Sequence, residues 1–331
     1  MVTSIEAITG HDRQLPSALV PRQFWTQALA ISANYEGLSS SHYAECRLGP
    51  SCSPRVDLLF AIEQCPPGHR LDDDRDLGSL WTSWRTPRSA LSRSPMVWFE
   101  LDDIRSPLAP PASMSVCLIK GYRDWRRPLP ETDSTRLGLV DEVVRLSGGG
   151  ASMAALARRV VECFNCIHIS LMAGRDPITH KLYGVVPRHD VREFLDTIGW
   201  RGPSDEIDQL IAHHFQPRWC DDDIYIDLTL EGLHDLGGNR IGLVFPQQHV
   251  IHSDRDATRR ALLEHLVASR LCTPQQAEEL VAWARDDEAL VHGEWMRLHR
   301  WFDIKIVWDP CDGISSKAYL GFDARPAGLF D

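Results

Sequence analysis

The sequence predicts an α+β fold with a mainly antiparallel sheet, built of repeated strand-strand-helix-helix units whose helices lie on one face. Stretches rich in β-favouring residues come in pairs joined by short turns, and such pairs are typically antiparallel. In the C-terminal part, each pair is followed by two stretches with apolar residues at helical spacing. The cycle repeats, because Leu182–Pro187 and Ile241–Pro246 each lead into a helix and lie 59 residues apart. Single strands do not alternate with single helices, so a doubly wound parallel sheet is not expected.

An N-terminal α+β part is placed at residues 21–133, after a flexible lead-in of residues 1–20. Pro21 favours the first turn of a helix that extends to about Asn34. Residues 37–54 contain many Ser, Gly, Pro and Cys residues, which indicates a loop. The further elements expected in this part are strands at 55–62, 96–101 and 113–120 and a short helix at 77–84.

A C-terminal α+β part is placed at residues 134–331, with two strand-strand-helix-helix units and a final strand pair. A polar, proline-broken linker at 123–133 precedes it, although both parts are also compatible with one continuous domain. Gly199 is expected to end one helix, and Thr273 is expected to cap the start of another. The expected strands are 166–172, 180–186, 224–230, 240–245, 303–308 and 317–322, and the expected helices are 153–164, 190–198, 204–214, 256–269 and 273–284.

The composition limits the classes of partner. The chain has 35 Lys and Arg residues against 46 Asp and Glu residues, a formal net charge of −11. A partner made of duplex nucleic acid is not expected, because binding it requires a basic face that neutralises phosphates. The first 20 residues contain no apolar signal segment, and no stretch is long and apolar enough to span a membrane. For this reason we expect no membrane partner. The nine cysteines have irregular spacing, which does not suggest a disulfide framework, so we expect a cytoplasmic protein with reduced thiols.

Cys163, Cys166 and His168 are residue types that bind zinc, and the two cysteines have the spacing of half a zinc site. No second pair of cysteines with this spacing follows. Cys166 and His168 are also expected on one face of a strand, where buried cysteines are ordinary packing residues. The sequence leaves open whether this group binds a metal.

His252 and Asp254 match two of the three ligands of a non-haem iron site, for which His292 or His299 would supply the third. Asp254 is equally suited to the start of a helix, where a carboxylate has an ordinary structural role. No phosphate-binding loop and no nucleophile motif is present. We therefore expect no metal and no cofactor, with the His252/Asp254 pair left open.

Charged and tyrosine side chains lie two residues apart on several expected strands. Lys181 and Tyr183 share one face of a strand, and Lys317 and Tyr319 share one face of another. Asp303 and Lys305 share a face on the partner strand. If such faces pointed into a closed barrel, these side chains together with Arg240 could bind a diphosphate. The commoner arrangement is an open sheet with this face in solvent, and it is the one we expect.

The 11 tryptophans outnumber both tyrosines and phenylalanines, and they divide between packing and contact roles. Trp283 follows apolar residues at helical spacing and is expected in the core. Trp98 and Trp308 lie mid-strand. Trp125 and Trp219 lie in polar stretches beside charge runs, where tryptophan commonly anchors a protein or peptide partner.

Three stretches resemble proteins of pathways that modify ribosomally made peptides, including the homologous peptide-binding pair of the crocagin pathway. The stretches are Met96–Asp102, Leu262–Trp283, and Asp303–Trp308 followed by Ser316–Phe322. The resemblance extends over about residues 95–323 and implies a protein that holds a precursor peptide and guides its modification. It implies no particular functional residue.

The leading hypothesis is therefore a protein that holds a ribosomally made precursor peptide and promotes its modification or cyclisation. The peptide would add as a strand to an exposed sheet edge, and other enzymes of the pathway or a second copy of the chain are further possible partners. The alternative is an antiparallel-barrel enzyme of the prenyltransferase type, and the third hypothesis is a metal-dependent oxygenase. The candidate peptide-binding residues are Trp98, Trp125, Trp219, Asp221, Asp222, Asp223, Lys305, Trp308, Lys317 and Tyr319.

Overall fold

One antiparallel sheet dominates the computed structural model. The model describes residues 4–11, 15–32, 39–50, 55–62, 77–102, 113–118, 134–174, 178–216, 219, 222–230, 240–245 and 255–327. Within these residues the sheet has eleven strands. They are β1 Ser39–Leu48, β2 Val56–Ile62, β3 Val97–Leu101, β4 Ser113–Cys117, β5 Asn165–Met172, β6 Thr179–Pro187, β7 Asp223–Leu230, β8 Ile241–Phe245, β9 Asp286–Val291, β10 Glu294–Asp309 and β11 Gly313–Pro326.

The sheet closes on itself. The strand order is β11-β1-β2-β3-β4-β5-β6-β7-β8-β10-β9, and β10 pairs in addition with β11. That pairing is long, running from Met296 opposite Pro326 to Asp309 opposite Gly313. All strands except β9 therefore belong to a closed ten-stranded antiparallel barrel, and β9 extends the sheet beyond it on β10.

Helices cover the outside of the barrel, as the sequence predicts for one face of the sheet. They are α1 Ser4–His11, α2 Arg22–Ser32, α3 Gly78–Arg85, α4 Ser134–Leu146, α5 Ala151–Cys163, α6 Val191–Ile198, α7 Ser204–His214, α8 Arg255–Ala268 and α9 Pro274–Trp283. The predicted helix ends are confirmed at two positions. Thr273 forms a capping box with Gln276, and Gly199 ends α6 with a positive φ of 76°. No helix among the described residues is long and apolar enough to span a membrane.

The hydrophobic core lies between the barrel and its helices. Trp25 of α2 stacks on Trp283 of α9 with ring centres 5.8 Å apart, and its ring also contacts Phe322 of β11. Phe215, just after α7, stacks on Phe245 of β8 at 3.7 Å. The expected core role of Trp283 is confirmed, since the side chain is 2% exposed.

The strands are buried on both faces, which corrects the expectation of an open sheet with one face in solvent. On β10, every residue from Trp301 to Trp308 is buried, although Asp303 and Lys305 alternate there with apolar residues. The apolar side chains face the helices, and the alternate side chains face the interior of the barrel. Closure follows from the pairing of β1 with β11, two strands far apart in the chain, which no local pattern reports.

Two expectations about the N-terminal elements are wrong. Residues 1–20, expected as a flexible lead-in, contain α1, whose Ile5 and Ile8 are fully buried. The expected loop at 37–54 contains β1, whose small and polar residues pair with both β2 and β11. The two predicted parts share one barrel, because β4 pairs with β5 and β1 with β11, which fits the single continuous domain that the sequence left open. The expected linker at 123–133 lies outside the described residues.

The predicted repeat is present. Two units, β5-β6-α6-α7 and β7-β8-α8-α9, match the expected strand-strand-helix-helix segments closely. A third unit, β3-β4-α4-α5, has the same order but was only partly expected, because α4 was not predicted. The final strand pair β10-β11 is longer than expected at both ends.

Candidate active site

A cavity of about 170 Å³ lies inside the barrel, lined by side chains that alternate inward along the strands. The strands supply one, two or three lining residues each, because every second residue of a strand faces the same way. The polar and aromatic ones are Tyr43 and Glu45 of β1, Trp98 and Glu100 of β3, Ser115 of β4, His168 and Ser170 of β5, Lys181 and Tyr183 of β6, Tyr225 and Asp227 of β7, Asp303 and Lys305 of β10 and Tyr319 of β11.

Two ion-pair groups cross this interior. The Lys305 ammonium donates to the Asp227 carboxylate, and the Lys181 Nζ lies 3.6 Å from the same carboxylate. The Lys317 ammonium donates to the Glu45 carboxylate. Lys305 and Lys317 are directly opposite each other on β10 and β11, so the two groups are neighbours. Paired in this way, the buried charges avoid the large desolvation penalty of an isolated ion.

Gly242 of β8 makes room for Lys305. A Cβ atom at Gly242 would overlap with the Cε atom of Lys305 and would lie 3.3 Å from the Cβ atom of Asp227. Gly321 of β11 likewise leaves room for the indole ring of Trp301, with which a Cβ atom at this position would overlap. The absence of a side chain at these two positions is therefore required by the packing of large side chains inside the barrel.

Burial and pairing shift the pKa values of the interior groups. Burial lowers the pKa of Lys305 to about 8, although the Asp227 charge opposes that shift. Burial on its own would raise the pKa of Asp227, but Lys181 and Lys305 reverse the effect and hold it well below its usual range. Burial lowers the pKa of His168 to about 4, so this imidazole is neutral near pH 7. Burial and the Glu45 charge raise the pKa of Tyr319 well above its usual value.

Aromatic rings form two walls of the interior. On one side, the Tyr43 ring centre lies 5.5 Å from those of Trp98 and Trp301 and 6.4 Å from that of Tyr319. The Trp301 Nε1 donates to the Tyr43 hydroxyl at 3.2 Å. On the other side, the Tyr183 ring lies 5.7 Å from His168 and 5.8 Å from Tyr225. Such rings exclude water and can stabilise a cation through their π faces.

Carboxylates outnumber lysines in this interior. Lys181, Lys305 and Lys317 supply three positive charges, against the carboxylates of Glu45, Glu100, Asp227 and Asp303, when the described residues that line the cavity or pair with its lining are considered. Glu100 accepts a hydrogen bond from the Ser113 hydroxyl at 3.2 Å. The described interior therefore combines lysine ammonium groups, carboxylates that can accept protons and an aromatic lining in one enclosed space.

The structure brings together four of the residues that the sequence singled out. Trp98, Lys305, Lys317 and Tyr319 all face the barrel interior. Two further candidates lie elsewhere. Trp308 belongs to the outer layer, where its Nε1 donates to Glu206 at 2.9 Å. Trp219 is fully buried and its Nε1 donates to the His214 carbonyl, so it is a packing residue and not an exposed anchor.

The two described residues of the acidic run beside Trp219, Asp222 and Asp223, do not line the cavity. Asp222 is exposed and pairs with Arg188 at 2.9 Å, and Asp223 is the first residue of β7. Trp125 and Asp221 lie outside the described residues. Arg240, just before β8, is one of the positive charges that lower the pKa of Asp227, but it does not line the cavity.

Several interior residues were missed by the sequence reasoning. Tyr43 and Glu45 belong to β1, which was expected to be a loop. The available signal was the alternation of Tyr43 and Glu45 with the small apolar residues Ala44 and Cys46. Asp227 lies on a correctly predicted strand, two residues after Tyr225, and only the facing direction was unknown.

The proposed cysteine and histidine groups are not assembled as the sequence suggested. A β-bulge between Cys166 and His168 reverses the alternation, so Cys166 packs in the outer core while His168 faces the interior. Burial also raises the pKa of Cys166 to about 12, which keeps it a thiol. His252 and Asp254 lie outside the described residues, and His299 pairs with Asp286.

Comparison with known proteins identifies the architecture. No protein-family model and no curated protein matches the sequence. Among solved structures, 5-dimethylallyltryptophan synthase from Streptomyces coelicolor is similar with a TM-score of 0.55 at 12% identity, over 97% of this chain and 98% of that one. The same enzyme in complex with DMASPP and Trp gives 0.52 at 12% identity, over 97% and 95%. PriB in a binary complex with product diphosphate gives 0.53 at 10% identity, over 98% and 96%. The chain therefore shares its overall fold with these solved structures.

Proposed function

We propose that this chain is a barrel enzyme that transfers a prenyl group from a prenyl diphosphate to an electron-rich aromatic acceptor. The observation that carries the proposal is the set of inward Lys181, Lys305 and Lys317 beside tyrosine and tryptophan rings in a closed interior. The similar solved structures add support, since their titles name a dimethylallyltryptophan synthase with DMASPP and Trp and a complex with product diphosphate.

The chemistry needs three things from the interior. The allylic carbon–oxygen bond breaks, and the departing diphosphate takes the electron pair and needs positive charge nearby, which the lysines provide. The allylic cation needs an aromatic, water-free surrounding, which the rings of Tyr43, Trp98 and Tyr183 provide. After the new carbon–carbon bond forms, the acceptor loses one proton, for which Glu100 is a suitable acceptor.

The charge balance sets a specific condition on this reaction. The Asp227 carboxylate forms ion pairs with Lys305 and Lys181, so a bound diphosphate has to compete with this carboxylate for the two ammonium groups. We expect Asp227→Asn to tighten diphosphate binding, because it removes one negative charge and leaves the lysines in place.

The test measures transfer directly. Purified protein is incubated with dimethylallyl diphosphate and a panel of indoles, tryptophan and tryptophan-containing peptides, and products are identified by the added mass of the prenyl group. We expect Lys305→Met to abolish transfer and Arg297→Met to leave it unchanged. Arg297 is the matched control, because it lies exposed on the same strand outside the barrel interior. No transfer and no calorimetric binding of dimethylallyl diphosphate would count against the proposal.

A second candidate function follows from the excess of carboxylates over lysines in the interior. An acidic, aromatic-lined space suits a basic or aromatic side chain of a peptide, which agrees with the resemblance to peptide-binding proteins. Addition of the peptide as a strand, the mode expected from the sequence, has little free edge to use in this sheet. Closure pairs both edges of the barrel strands, and among the described strands only β9 keeps an outer edge.

One variant separates the two functions. Asp227→Asn should tighten binding of dimethylallyl diphosphate but weaken binding of a basic peptide, because the same charge attracts one ligand and repels the other. Calorimetric titration of both ligands into wild type and variant measures the two changes. A peptide bound equally well by both proteins would exclude the interior as its site.

A further inference from the structure

Three histidines meet on the outer helix layer, away from the barrel interior. His213 and His214 end α7, and His265 lies in the last turn of α8. The ring centres of His213 and His214 are 4.6 Å apart, those of His213 and His265 are 5.0 Å apart, and those of His214 and His265 are 5.1 Å apart. One ring nitrogen from each residue lies within 4.8 Å of the other two.

Two of the three nitrogens have a spacing close to that of a metal site. The His214 Nδ1 and His265 Nε2 atoms share a hydrogen bond at 3.0 Å, which a bound ion would replace. Two imidazole nitrogens bound to one tetrahedral zinc ion at the usual bond length lie about 3.3 Å apart, so this pair needs only a small adjustment. The third ring, that of His213, is exposed, which gives an ion access from solvent.

The surroundings favour a cation at this point. The C-terminal ends of α7 and α8 meet here, and each carries the partial negative charge of its helix dipole. Trp219 packs against the cluster: its ring lies 5.0 Å from that of His265, and its Nε1 donates to the backbone carbonyl of His214.

We propose that His213, His214 and His265 bind one divalent transition-metal ion, Zn²⁺ in the first place, with a water molecule in the remaining coordination position. The donor set determines the class of ion, because three imidazole nitrogens suit zinc, nickel, cobalt or copper and not magnesium or calcium. Histidine binds such an ion as the neutral imidazole, so the affinity for zinc should fall at acid pH. The ion would tie α7, which precedes β7, to α8, which follows β8.

The experiment uses tag-free full-length protein stripped with chelator and titrated with Zn²⁺ in a calorimeter. We expect one equivalent to bind, and we expect His213→Gln and His265→Gln each to weaken binding by at least about 100-fold. Titration with Co²⁺ should give the visible absorption bands of tetrahedral cobalt in wild type and not in either variant. Zinc should raise the thermal unfolding temperature of wild type only.

The matched control is His189→Gln, since His189 is exposed and lies outside the cluster. This variant should bind zinc like wild type. His214 is buried and is left intact, and the substitutions are made at the two less buried ligands. Absence of stoichiometric binding, or equal weakening in the His189 variant, would overturn the proposal. The result does not depend on prenyl transfer, because the cluster lies outside the barrel interior.

Discussion

Replacing Lys305 by Met tests whether the buried pair with Asp227 organises the barrel interior. The side chains of Lys305 and Asp227 are only 7% and 12% exposed, so the variant leaves a carboxylate in a poorly solvated place. Breaking a buried pair by removing one partner typically destabilises a protein by about 3–5 kcal/mol. Lys181 remains 3.6 Å from Asp227, so we expect the lower end of this range, a loss of about 3 kcal/mol in the free energy of unfolding.

A double-mutant cycle isolates the interaction. Asp227→Asn leaves Lys305 and Lys181 without their carboxylate, and we expect a similar loss from it alone. The double variant Lys305→Met/Asp227→Asn has lost both charges of the pair. We expect its loss in the free energy of unfolding to be about 2 kcal/mol smaller than the sum of the two single losses.

Urea unfolding followed by tryptophan fluorescence at 25 °C measures all four proteins, and circular dichroism checks that each variant is folded. The exposed Arg297→Met serves as control and should change the free energy of unfolding by less than about 0.5 kcal/mol. Single losses below about 1 kcal/mol, or strictly additive losses, would refute the reasoning, because the pair would then be solvated and not buried.

Three further predictions rest on single features. Because the pKa of Lys305 is lowered to about 8, its positive charge is lost as the pH rises through that value. Calorimetry should show the affinity of wild type for diphosphate falling above about pH 8, with a smaller change in Lys305→Met. Gly242→Ala should destabilise the protein by about 1–3 kcal/mol in urea unfolding, since the methyl group overlaps with Lys305. Gly138→Ala, where a Cβ meets no atom within 4 Å, should instead be neutral or slightly stabilising. Thr273→Ala should lower the free energy of unfolding by about 1 kcal/mol through loss of the capping box of α9, and no such loss would mean that the cap is dispensable.

The local elements were largely predictable, but the closure of the barrel was not. Strands and helices from residue 151 onward follow hydrophobic period, turn residues and caps, and most expected ends agree with the structure to within a few residues. β1 was not predicted as a strand because its Ser and Cys residues are typical of loops. Its strand conformation depends on pairing with β11, which is far away in the chain. Without β1 there is no closure, and without closure the interior residues face solvent.

The candidate site was predictable as a set of strand faces but not as a location. Alternation correctly placed Lys317 with Tyr319 and Asp303 with Lys305 on common faces. It could not say whether those faces meet water or each other. Sequence neighbours also failed to predict exposure for Trp219. It stands beside charged residues in the sequence, but it is buried because α7 and α8 pack around it.

The electrostatics of the interior connect the fold to the proposed chemistry. A barrel of ten strands is wider than the eight-stranded barrels whose side chains just fill the centre, so its interior can keep space for a ligand. Here paired charges and aromatic rings occupy the centre, and a cavity of about 170 Å³ remains beside them. The carboxylates stabilise the lysines when no ligand is bound, and this same pairing opposes any anion that enters. Asp227 is therefore the residue at which stability and ligand binding conflict: removing its charge should weaken the fold while strengthening the attraction for a diphosphate.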